Sequence, residues 1–196
     1  MKELSQAKRW DGPGLDAWVP WSPGQVASKL ADVDVRWAVV GGHAIDLWLG
    51  EATRKHDDLE IAISRSEFQA IRGYLGEFDL HAVGDGEVIK LSLGQVPGSS
   101  KHQCWVLDVV ENSWRIDIML EPGDRETWVF RRDARVKAPR SRMIRFRGDI
   151  PFLVPEAVLL FKAKACRPKD EADFTACLPT LEVDARSWLL EALRLL

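Results

Sequence analysis

Residues 36–63, RWAVVGGHAIDLWLGEATRKHDDLEIAI, constrain the fold of this 196-residue chain more than any other stretch. The apolar run RWAVV (36–40) reads as a short buried strand. Gly41-Gly42 turn it into a helix, HAIDLWLG, closed by Gly50. A charged loop leads to a strand at 58–63, in which Leu59, Ile61 and Ile63 alternate with Asp58, Glu60 and Ala62. Successive side chains of a strand point to opposite faces. One face of this strand is built for a core, and the other carries two carboxylates whose Cα atoms are about 7 Å apart.

A third acid sits in a similar position. CWVLDVVENSWRIDIML reads as a hairpin of strands 104–110 and 114–120, with Ile116, Ile118 and Leu120 on one face and Arg115, Asp117 and Met119 on the other. A turn centred between Asn112 and Ser113 would place Asp108 opposite Asp117. Carboxylates converging on one sheet face repel, and burial worsens the repulsion. A hard divalent cation removes that cost, since Mg2+ takes one or two protein carboxylates together with substrate phosphates. A solvated sheet face is the alternative. Gly41-Gly42 at a helix entry leaves backbone N–H groups and the positive end of the helix dipole where a phosphate can dock.

Along the rest of the chain, Ser22 and Pro23 open a helix to about Leu30, and Ser66 caps one to about Leu75. FDLHAV and EVIKLSLG are strands separated by Gly84-Asp85-Gly86. A second hairpin is expected over 127–147, turning near Pro139. Pro151 and Pro155 bracket an extended link into a helix at 155–166, and Asp170 and Asp184 cap the last two helices. This organisation gives an α/β domain at 1–151 with a tryptophan-rich N-terminal arm, and a helical C-terminal segment at 152–196. Trp10, Trp18, Trp21 and Trp37 crowd the first forty residues as core or staple residues, with a ligand cleft as the alternative.

Net charge of −3 excludes a general polyanion binder, yet the charge is uneven. Arg131, Arg132, Arg135, Lys137, Arg140, Arg142, Arg145 and Arg147 face only Asp133 within their stretch, which suits either a solvated edge hairpin or phosphate. Cys104, Cys166 and Cys177 show no metal-ligand spacing, and a reduced, cytoplasmic protein is the natural reading. No apolar run approaches a membrane span.

VVGGHAIDLWLGEATRKHDDLEIAI resembles the core motif of the small aminoglycoside and lincosamide nucleotidyltransferases, within the DNA polymerase β-like superfamily. The matching positions are Gly41, Gly42, Ala44, Asp46, Gly50, Thr53, Arg54, His56, Asp58 and Glu60. The resemblance departs at Glu60, where the family pattern has Asp. It implies an α+β nucleotidyltransferase fold, a mixed and mainly antiparallel sheet flanked by helices with a helical C-terminal segment. It also implies that Asp58, Glu60 and Asp117 bind two Mg2+ ions and carry catalysis, Asp117 acting as ligand or base at the acceptor hydroxyl. Gly41, Gly42, Arg54 and His56 would contact the nucleotide. A second block, LFKAKACRPKDEADF (160–174), is similar to a Lys-x-x-Ala-x-x-x-Arg-x-Lys-Asp-x-x-Asp block of related transferase and toxin families. It would bring Lys162 or Lys164 to the phosphates, with Lys169, Asp170 and Asp173 on the adjoining turn.

The implied reaction moves a nucleoside monophosphate from ATP or another nucleoside triphosphate to a hydroxyl of a small molecule. An aminoglycoside acceptor, being polycationic, calls for an acidic cleft, for which Glu77, Asp79, Asp85, Glu87 and Glu111 are available. The basic 131–147 stretch speaks instead for RNA or a protein surface. A non-catalytic nucleotide-binding module and a toxin acting on RNA or protein remain as alternatives. Oligomeric state is not legible.

Overall fold

The computed structural model describes residues 12–196. The N-terminal arm is held by its aromatic rings: Trp18 meets Trp105 at a centroid distance of 5.1 Å, and Trp21 meets Phe78 at 5.0 Å. Trp10 lies outside the described residues. Helix α1 (Pro23–Lys29) begins with a capping box, in which Gln25 N donates to Ser22 Oγ and Ser22 N donates to Gln25 Oε1. Strand β1 (Trp37–Val39) runs into α2 (Gly41–Leu49), and the loop after Gly50 leads to β2 (Glu60–Ser64). Helix α3 (Phe68–Tyr74) precedes β3 (Asp79–Gly84), β4 (Glu87–Lys90), β5 (Gln103–Asp108) and β6 (Ser113–Glu121).

A small hairpin of β7 (Thr127–Val129) and β8 (Lys137–Pro139) stands apart from the main sheet. Then follow α4 (Arg140–Met143), β9 (Ile144–Arg147), β10 (Ile150–Leu153), α5 (Pro155–Lys162), α6 (Pro168–Cys177) and α7 (Val183–Leu195). The main sheet has eight strands in the order β4-β3-β5-β6-β2-β1-β10-β9. Only β2–β6 and β1–β10 are parallel, so the mixed, mainly antiparallel character expected of the sheet is present. Leu59, Ile61 and Ile63 are fully buried on one side of β2, as their alternation requires. The opposite side carries Glu60 and Ala62 toward α5. No helix among the described residues is long and apolar enough to cross a membrane.

Four local expectations are corrected. Asp108 pairs in register with Ser113, because the β5–β6 connection is a four-residue turn, 109–112. Asp117 therefore faces Trp105, and Asp108 bonds Arg115 at 3.0 Å instead. The 127–147 stretch is not one hairpin. It turns within 130–136, and the chain after Pro139 becomes α4 and then β9, which pairs with β10. The link after Pro151 is itself strand, since β10 lies beside β1. Asp170 and Asp184 are not N-caps: Arg167 and Glu182 hold those positions, and Asp170 stands three residues into the turn, where it accepts from Arg167 N.

The basic stretch is dispersed by the same geometry. Arg140 is buried and bonds Glu121 at 3.1 Å, while Trp128 Nε1 donates to the other Glu121 oxygen at 3.0 Å. Burial pushes the Glu121 carboxyl up, against the pull of Arg140. Removing one partner of a buried pair strands the other charge. Arg140→Met should therefore cost about 3–5 kcal/mol, read as a lower urea midpoint with an unchanged m-value; an unshifted midpoint would show that Glu121 does not depend on this cation.

Candidate active site

The parallel ladder between β2 and β6 sets Glu60 directly beside Asp117. Asp58, two residues before Glu60, lies on the approach to the strand. Asp117 is buried, accepts a 2.6 Å hydrogen bond from Gln103 Nε2 through Oδ2, and has no hydrogen-bond partner at Oδ1 among the described residues. Burial, followed by the Glu60 charge, holds its carboxyl well above the usual range. Burial also raises Glu60, with Asp58 adding to it and Lys162 opposing.

These three carboxylates offer only hard oxygen donors, and one buried oxygen among them lacks a partner. That donor set fits a hard divalent cation. Their oxygens do not all lie within 4.8 Å of one another, and Glu60 rests over Gly41. Gly41 has φ +64°, and a Cβ there would overlap Glu60 Oε2. The glycine thus gives the glutamate room for its extra methylene. Gly42 has the corresponding role toward the loop, since a Cβ would run into Arg54 and His56. The α2 N-terminus has no side-chain cap, so its first amides are directed into the same space.

The loop that delivers Asp58 is clamped to α2 by Asp46. Thr53 donates to Asp46 Oδ1 through both N (3.0 Å) and Oγ1 (2.7 Å), and His56 Nε2 lies 2.6 Å from Asp46 Oδ2. His43 stacks on His56 with centroids 4.1 Å apart, and burial lowers its pKa to about 4, so it is neutral at neutral pH. His43, Asp46 and His56 also have metal-ligand geometry, with ligand atoms within 4.8 Å of one another. The Asp46 oxygens are already committed to Thr53 and His56, which makes the trio a brace for the loop.

Two buried acids organise the cations. Asp173 accepts from Arg54 Nε and Nη2, both at 3.3 Å, and lies 2.7 Å from Lys162 Nζ. Asp170 bonds Lys162 at 3.1 Å and Arg167 at 2.8 Å, and Arg167 and Lys162 hold its carboxyl well below the usual range. A cavity of about 70 Å3 collects Gly42, Arg54, Asp58, Glu60, Lys162 and Lys169 along its wall. Of the residues expected from sequence, Gly41, Gly42, Arg54, His56, Asp58, Glu60 and Lys162 line one or other cavity at the α2 N-terminus. Asp117 lies beneath them. Lys164 is exposed on the turn after α5 and lines neither cavity. Arg167 and Gln103 were missed: Arg167 sat in the recognised block without a role, and nothing local in the sequence marks Gln103.

A family model described as aminoglycoside-2''-adenylyltransferase matches residues 24–176. The fold is similar to a solution structure of the antibiotic-resistance factor ANT(2'')-Ia, with TM-score 0.53 and 19% identity, covering 87% of this chain and 88% of that one. It is also similar to the lincomycin-bound lincosamide antibiotic adenylyltransferase LnuA, with TM-score 0.52 and 15% identity over 78% of this chain and 92% of that one. A crystal structure of ANT(2'')-Ia with adenylyl-2''-tobramycin aligns with TM-score 0.51 and 15% identity over 86% and 93% of the two chains. No curated protein matches by sequence.

A carboxyl whose pKa is raised on folding holds its proton more tightly when folded, so it removes stability as pH rises above the ordinary carboxylate range. Asp117→Asn should therefore flatten the fall in melting temperature of the metal-free protein between pH 5 and pH 8. Each kcal/mol relieved corresponds to about 2–4 °C; parallel pH profiles for the two proteins would contradict the burial argument. Gly41→Ala should destabilise the fold by about 1–2 kcal/mol from its left-handed backbone and displace Glu60, seen as a lower unfolding midpoint and weaker Mg2+ binding.

Proposed function

Because the chain belongs to the aminoglycoside-2''-adenylyltransferase family, whose members are nucleotidyltransferases, we propose that it moves a nucleoside monophosphate from a nucleoside triphosphate, ATP in the first instance, to a hydroxyl of a small-molecule acceptor. The observation that carries this reading is the pairing of half-buried Glu60 with buried Asp117, with Asp58 on its approach, set against a phosphate-sized cavity at an uncapped helix N-terminus. Asp58, Glu60 and Asp117 would hold Mg2+, and two such ions supply charge stabilisation at the attacking and leaving oxygens of an in-line displacement.

The remaining work falls to the chain. The amides of Gly41 and Gly42 bind the outer phosphates, aided by Lys162, Arg167 and Lys169. Arg54 is fastened to Asp173 and directs its edge into the same cavity. His56, bonded to Asp46, keeps the loop in place and so positions Asp58. Asp117, beside Glu60 in the ladder, takes the proton of the attacking hydroxyl in its ionised form. ANT(2'')-Ia and LnuA, bound to an adenylylated aminoglycoside and to lincomycin in their structures, support a hydroxyl-bearing small molecule as the acceptor class.

Asp58→Ala should lower pyrophosphate release from Mg2+ and ATP by on the order of 10²–10³ while leaving the far-ultraviolet circular dichroism unchanged. Retained activity would remove Asp58 from the site. Binding of nucleotide with no pyrophosphate release across a broad acceptor panel would favour a non-catalytic module.

A further inference from the structure

Once Arg140 is buried against Glu121, Arg135 is bonded to Asp133 and Arg147 is bonded to the Leu47 carbonyl, the basic stretch leaves two arginines facing the site. Arg131 and Arg132 line a cleft of about 160 Å3 between the sheet and α5, together with His102 and, beside the catalytic acids, Gly41, Glu60 and Lys162. Its walls are apolar, with Ala62, Met119 and Phe161 among them. Leu120 N donates to the His102 carbonyl, which puts His102 three residues along β6 from Asp117, about 10 Å at strand rise.

Neither Arg131 nor Arg132 forms an ion pair among the described residues, in contrast to three other cations near the site. Arg54, Lys162 and Arg167 share Asp170 and Asp173. Arg132 donates only to the Phe161 carbonyl, at 2.6 Å, with its guanidinium 5.5 Å from the Phe161 ring centroid. Burial and the neighbouring Arg131 charge lower the Arg132 pKa, and burial with Arg131 and Arg65 lowers His102. The positive charge of the cluster is therefore that of Arg131 and Arg132, with His102 a neutral hydrogen-bonding neighbour, and among the described residues the two arginines have no counter-ion. Conversely, acids that could receive a polycation are mostly spent on lysines: Glu77 on Lys29, Asp79 on Lys90, and Asp85 and Glu87 on Lys101. Among the described residues, the carboxylates lining the cleft are Glu60 and Glu121, and Glu121 is bound to Arg140.

We propose that the acceptor is a hydroxyl-bearing molecule with an acidic group, a phosphate or carboxylate, seated at Arg131, Arg132 and His102 while its hydroxyl reaches Asp117. This rests on the transferase reading above and narrows its substrate class. The other source of such a group is the nucleotide itself, whose phosphates already have Gly42, Arg54, Lys162 and Lys169.

The test is calorimetric titration of the full-length protein loaded with Mg2+ and a non-hydrolysable ATP analogue. The probes are glucose 6-phosphate, glucose and a polycationic aminoglycoside. Glucose 6-phosphate should bind about tenfold or more tighter than either of the others, and Arg131→Gln/Arg132→Gln should remove that preference. Arg131→Gln alone, which keeps the Arg132 bond to Phe161, should weaken it in part and covers a misfolded double variant. Equal or tighter aminoglycoside binding, no binding of glucose 6-phosphate, or a preference that survives both variants overturns the proposal. Displacement of the analogue by glucose 6-phosphate assigns the arginines to the nucleotide and also overturns it. Pyrophosphate release with any acceptor is scored separately and reports on the transferase reading alone.

Discussion

The parallel pairing of β2 with β6 is the contact on which the site depends. It sets Glu60 beside Asp117, and two neighbouring carboxylates with little water around them are costly unless a proton or a cation is supplied. The fold does not relieve that cost with an arginine at the pair. Gln103 donates to one Asp117 oxygen, and the other has no close hydrogen-bond partner among the described residues. Elsewhere a buried acid is paired on both oxygens, as at Glu121 with Arg140 and Trp128. The contrast sets Glu121, paired on both oxygens, apart from Asp117, paired on one.

A second layer of charge steers what can approach. Asp170 and Asp173 sit at the start of α6 and gather Arg54, Lys162 and Arg167 from three separate elements. This arrangement keeps several cations at the α2 N-terminus without leaving them unpaired, so the positive charge there is preorganised. Arg131 and Arg132 lack such counter-ions, and the cleft they share with Glu60 is correspondingly positive at that end.

Much of this was legible in the sequence for local reasons. Alternation in 58–63 separated the core residues Leu59, Ile61 and Ile63 from the acids, and each of those three is buried. Ser22-Pro23 and Gly50 announced the ends of α1 and α2 through short-range capping chemistry. The errors arose where pairing depends on distant segments. A turn centred about two residues earlier than expected moved Asp108 away from Asp117. Pro139, which suits a turn, ends a strand because β9 finds β10 as its partner. Asp170 looked like a simple cap, yet its neighbours in space are Lys162 and Arg167.

By itself, the sequence determined which side chains are acidic, which alternate and where helices begin, since these follow from residue type and near-neighbour spacing. It therefore identified Asp58, Glu60, Asp117 and the Gly41-Gly42 entry. Only the tertiary structure decided that Glu60 and Asp117 are neighbours, that Glu60 rests over Gly41, and that of eight clustered basic residues only Arg131 and Arg132 face the cleft. Those outcomes depend on strand order, on register and on which cation a buried acid captures. Each is a contact between residues far apart in the chain, and no local pattern encodes it.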